Sequence, residues 1–164
     1  MVAAAELQSF LYEHRSWPAD PRQLGPMRAE VRGWLESSHL GEDLVDDLVM
    51  AVSEAVSNAV EHAYRPITAQ STVDLTVLLD QGNVDIEIVD HGRWQLPAAR
   101  DTGRGRGIAL IQRMVDSVVI HFDTAGTRVM LHHPVSARRG VTGTDVDRHN
   151  VKGCDGGREA LISA

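Results

Sequence analysis

Lysine is nearly absent from this chain. Of its 16 basic residues, Lys152 alone is lysine and the rest are arginine. That excludes a Walker-type phosphate loop, whose glycine run must end in Lys, and leaves Lys152 as the only side chain able to form a Schiff base. Cysteine is equally scarce. Cys154 is the only one, so neither an intrachain disulfide nor a cysteine-based zinc cage can form, which fits a reducing compartment. Aromatic residues make up 4% and the formal charge is -7, so the chain offers neither a base-stacking platform nor a phosphate-tracking surface, and nucleic acid is not expected as a partner. No stretch reaches the roughly 20 apolar residues of a membrane span, and Met1 to Phe10 lack the basic start and apolar run of a signal peptide. The expectation is a cytoplasmic protein that does not engage a membrane.

The 164 residues, 43% of them hydrophobic, suffice for one domain with a real core. Ala5 to Tyr12 reads as an edge strand, followed by Trp17-Pro18-Ala19-Asp20-Pro21, in which Asp20 caps a helix that opens on Pro21. Leu24, Met27, Val31, Trp34 and Leu35 keep helical spacing to about Ser38. The next helix is the clearest element. Apolar residues from Leu44 to Ala63 recur every three or four positions, and Glu42, Asp43, Asp46 and Asp47 suit the positive end of its dipole. After Pro66 the period falls to two. Val73 to Leu79 and Val84 to Ile88 form a hairpin around Gln81-Gly82-Asn83, and a second hairpin follows from Val118 to Leu131, turning at Asp123 to Gly126. Between them the run Gly103-Arg104-Gly105-Arg106-Gly107 opens an apolar helix. Residues 134–164 show no period and read as a disordered tail, so the folded domain is placed at 1–133. This order implies an α+β two-layer sandwich, a mixed but mainly antiparallel sheet with helices on one face.

Three clusters carry chemistry. Glu54 and Asn58 lie 40° apart on the second helix, in one stripe with Glu61 and Arg65. They suit a general base and a Mg²⁺ ligand lining a cleft, although taken alone they read rather as a solvated polar face. Asp90, counted by twos from Val84, falls on the buried face at its strand's end and needs a donor, either a ligand amino group or a nearby helix or turn that it caps. The glycines at 103, 105 and 107 aim backbone N–H groups at a helix start, with Arg104 and Arg106 adding charge, which makes either an anion cradle or a flexible loop. The spacing is not the dinucleotide fingerprint. One ligand answers all three clusters: ATP with Mg²⁺, for which Thr127, on the inward face of its strand, offers a hydroxyl near the ring. His132 and His133, adjacent on one strand, point to opposite faces, so shared ligation with His121 is not expected and no transition metal is assigned.

The ordered motifs WPADP (17–21), AVSEAVSNAVEHAY (51–64), VDHG (89–92), GRGRGIALIQRMVDSV (103–118) and GTRV (126–129) resemble the GHKL-type ATPases, most closely the bacterial anti-sigma-factor serine-protein kinases. The resemblance implies that Asn58 ligates Mg²⁺ and Glu54 serves as base on a partner's hydroxyl. Asp90 would accept the adenine amino group, with Gly92 beside the ring and Thr127 supporting it through water, while Gly103, Gly105 and Gly107 would wrap the phosphates. It further implies a serine/threonine kinase acting on an anti-sigma-factor antagonist, a sigma factor as second partner, and a family habit of forming homodimers. Arg93-Trp94 and only ten residues between Gly92 and Gly103 depart from the family pattern and shorten the lid. A non-catalytic, nucleotide-dependent interaction module is therefore the alternative. A sensor histidine kinase fragment fits less well, since no helical hairpin with a phospho-acceptor histidine precedes the motifs. The charge excess is local: residues 33–64 hold Glu36, Glu42, Asp43, Asp46, Asp47, Glu54 and Glu61 with no Lys or Arg, suggesting a docking face for a basic partner patch.

Overall fold

The computed structural model describes residues 10–64, 67–80, 82–92, 106–135 and 158–163. Strand β1 (Leu11–Pro18) leads through a 3₁₀ turn, Pro21–Gln23, into α1 (Leu24–Ser37) and α2 (Glu42–His62), followed by the hairpin β2 (Thr72–Asp80) and β3 (Asn83–Asp90). Helix α3 (Arg106–Met114) and strands β4 (Ser117–Asp123), β5 (Gly126–Pro134) and β6 (Arg158–Ser163) complete it. The strands line up as β1-β2-β3-β5-β4-β6, and every neighbouring pair is antiparallel. A mixed sheet was the expectation. β3 and β4 do run parallel, but β5 is inserted between them, so no parallel pair shares hydrogen bonds.

The local sequence explains the helical layer. Asp20 accepts the Arg22 N–H ahead of Pro21, as a cap should. The apolar stripe of α2 is buried from Val45 to Val60 and meets Val73, Leu75, Val77 and Leu79 of β2 and Val84, Ile86 and Ile88 of β3 in one core cluster. Each such side chain contributes about 1.5–3 kcal/mol when fully buried, which far exceeds what helix propensity alone supplies. α2 also packs against α1 and α3, so it forms the centre of the layer.

Two boundaries differ from the sequence reading. The edge strand is Leu11–Pro18 rather than Ala5 to Tyr12. Its inward positions include Glu13 and Arg15, which break the apolar alternation; Arg15 is accommodated there by an ion pair with Glu30 of α1 and by the face of Trp17, 5.3 Å away. The tail is not structureless throughout either, because Arg158–Ser163 pairs with β4 from Ser117↔Ser163 to Phe122↔Arg158 and covers that edge. The remaining residues of 136–164 lie outside those described.

Candidate functional site

The site lies where the C-terminal end of β3, the outward stripe of α2 and the start of α3 converge. Asp90 is 3% exposed and faces Thr127 directly across the β3–β5 ladder. Its Oδ1 accepts the N–H of Gly92 at 3.1 Å and that of Thr127 at 3.3 Å. Burial holds the Asp90 carboxyl above the ordinary carboxylate range, a shift that the two N–H donors and the neighbouring Thr127 side chain only partly offset. The Thr127 hydroxyl is buried beside that carboxylate and, among the described residues, reaches no partner at normal hydrogen-bond geometry. A buried carboxylate with a hydroxyl beside it suits a planar ring that presents an amino group.

Glycines at three positions mark close approaches. A Cβ on Gly107 would collide with Glu54 Oε1 and stand 3.2 Å from Asn58 Nδ2, so the first turn of α3 lies directly over both side chains. The structure thus brings Glu54, Asn58 and Gly107 together. A Cβ on Gly92 would strike the Ala63 carbonyl and sit 2.7 Å from its Cβ, so Gly92 is required for β3 to pass the end of α2, whatever lies beside it. Gly126 has φ +147° and a Cβ there would overlap the Asp90 carbonyl. Gly126→Ala should cost about 3 kcal/mol or more through strain and overlap. Denaturant unfolding checks this, and a midpoint unchanged from the native chain would contradict it.

Gly103, Arg104 and Gly105 lie outside the described residues, while Arg106 opens α3. The open N–H groups of that first turn, Gly107 included, form the end of α3 suited to anionic phosphates. Among the described residues no three His, Cys, Asp or Glu side chains converge on a metal position. Asn58 offers an amide oxygen that could join phosphate oxygens around an ion held here. The donor set fits a hard cation of the Mg²⁺ type bound together with its nucleotide. His132 is taken by Asp85 at 2.7 Å on the open sheet face, and His133 turns inward with its Nδ1 buried and unpartnered.

Sequence reasoning did not single out Tyr64, whose hydroxyl reaches the His91 N–H next to Asp90. The available signal was its place at the end of the helical run in a chain with only two tyrosines.

Residues 17–132 match the model of a family described as histidine kinase-like ATPase domain. The crystal structure of the RsbU and RsbW domains of Rv1364c from Mycobacterium tuberculosis aligns with a TM-score of 0.61 and 28% identity over 82% of this chain. This chain spans about a third of that one, 35% of its length. The histidine kinase domain of a blue-light activated histidine kinase from Erythrobacter litoralis aligns with a TM-score of 0.47 and 21% identity, over 57% of this chain and 45% of that one.

Proposed function

The chain belongs to the histidine kinase-like ATPase domain family, and from that premise we propose that it binds ATP at the β3–α2–α3 junction and transfers the terminal phosphate to a serine or threonine of an anti-sigma-factor antagonist, holding a sigma factor as its other partner. The observation that carries this reading is the meeting of Glu54 and Asn58 under Gly107, which sets a carboxylate and an amide beside a helix start suited to phosphate. The resemblance of 51–64 and 103–118 to the anti-sigma-factor kinases, together with the likeness to a chain containing an RsbW domain, supports the choice of partner.

In this reading the free oxygen of Asp90 accepts the adenine amino group, Thr127 supports the ring, and the amides from Gly103 to Gly107 with Arg104 and Arg106 hold the phosphates. Asn58 would hold Mg²⁺, which would supply neutralisation of phosphate charge. Glu54 takes the proton of the acceptor hydroxyl as that oxygen bonds to the γ-phosphorus, and the bond from the γ-phosphorus to the β–γ bridging oxygen breaks to release ADP. Catalysis is then mainly positioning and charge balance.

Incubation with γ-labelled ATP, Mg²⁺ and purified candidate antagonists tests it. Label should appear on a serine or threonine of the antagonist. Tight ADP binding without any transfer would replace the kinase by a nucleotide-dependent binding module, and absence of both would overturn the reading.

A further inference from the structure

Side chains outside this mechanism hold the segment that carries Asp90. On the helical side, the Tyr64 hydroxyl at the end of α2 accepts the His91 N–H at 2.8 Å and donates to the Thr72 carbonyl, tying β2, β3 and α2 at one atom. On the open face of the sheet, His91 Nε2 lies 2.6 Å from Asp74 Oδ2. Burial opposes ionisation of Asp74, but hydrogen bonds from Ser16 and His91 hold it below the ordinary carboxylate range. Gly92, one residue further, rests against Ala63. Residues 90–92 are therefore gripped from both faces of the sheet just where the ladder ends.

Resting on the nucleotide reading, we propose that Tyr64 and the His91–Asp74 pair are positioning residues for the adenine base: they clamp the backbone of residues 90–92 and so preset the carboxylate of Asp90. The link runs through the Gly92 N–H. It is one of two donors that orient Asp90 Oδ1, the other being the Thr127 N–H of the neighbouring strand, so displacing Gly92 removes the donor that residues 90–92 themselves supply. With the clamp released, a ligand must order this strand end itself and loses affinity to that extent. The same sheet face supplies a control. His132 and Asp85 form a pair of the same chemistry, 2.7 Å apart, five residues up β3 from Asp90 and about 17 Å away.

The test is calorimetric titration of the full chain with ADP and Mg²⁺, alongside amide hydrogen exchange at residue 91. Tyr64→Phe leaves the His91 N–H without its acceptor and should weaken ADP about tenfold while speeding exchange at His91. Asp74→Ala should weaken ADP about fivefold, Asp74→Asn should restore it to within about twofold because its amide oxygen still accepts from His91, and Asp85→Ala should leave it unchanged. Native-like affinity in both Tyr64→Phe and Asp74→Ala, or equal losses in Asp85→Ala, would overturn the clamp while the nucleotide reading stood. A native chain that binds no ADP would overturn the nucleotide reading and the clamp's role with it.

Discussion

Glu54→Gln should lower phosphate transfer to the acceptor protein by about 10²- to 10⁴-fold, the range spanned by general-base catalysis, while ADP affinity stays within about threefold. Glutamine keeps the size and shape that meet Gly107, so the start of α3 need not move. What it removes is a group able to take the acceptor's proton. The split between transfer and binding is the informative part. Initial labelling rates set against calorimetric ADP affinities measure it. Equal transfer rates in the native and variant chains would remove Glu54 from the chemistry. A parallel collapse of ADP binding would instead make it part of the binding surface.

The second large effect concerns Asp90. Asparagine at this position can still accept the Gly92 and Thr127 N–H bonds through its oxygen, so the strand end stays built. Its other atom becomes an N–H₂ donor that faces the donor of the adenine ring. Losing a charge-assisted bond and opposing two donors should weaken ADP about 100-fold or more. Stability should change in the other direction. Burial raises the pKa of Asp90 in the folded chain, so the stability it contributes is present in full below the ordinary carboxylate value near pH 4 and is lost as pH rises through the raised value. As pH rises past the ordinary carboxylate value the native chain therefore carries the cost of ionising a buried carboxylate, which the neutral amide of Asp90→Asn avoids. Melting curves of both proteins should converge at about pH 4 and separate toward pH 7, with Asp90→Asn the more stable. A variant that melts lower at pH 7 would show instead that the charge supports the fold.

Much of this architecture was legible because apolar period and burial coincide. The inward residues of α2 and of the β2–β3 hairpin are nearly all aliphatic, so the three- and four-residue steps and the alternation by two survive in the sequence. β1 was displaced because its inward Glu13 and Arg15 break the apolar alternation, and Arg15 is held there by Glu30 of α1, a tertiary effect that no local pattern records. β6 was invisible because an edge strand can be held by backbone pairing to β4 without a strong pattern of its own.

At the site, counting by twos from Val84 was enough to bury Asp90, but the reason for Gly92 was not readable. Its missing Cβ is demanded by Ala63, which is remote in sequence and adjacent in space. Tyr64 and the His91–Asp74 pair escaped for the same reason, since their partners belong to other elements. The acidic segment was only partly legible. Residues 33–64 contain no Lys or Arg, yet Arg32 reaches across to Glu36 and to Asp46 at 2.6 Å, so the exposed charge is less uniform than the count suggested.

The central claim is that one nucleotide spans from Asp90 and Thr127 to Glu54, Asn58 and Gly107. Titration of the uniformly ¹⁵N-labelled chain with ADP and Mg²⁺, followed by backbone amide shifts, tests this most directly. Saturable shifts should be largest at residues 90–92, at Thr127, along α2 near Glu54 and Asn58, and at the first turn of α3, with the open-face positions of Asp85 and His132 unmoved. Shifts centred on that open face, or none at millimolar ADP, would contradict the claim.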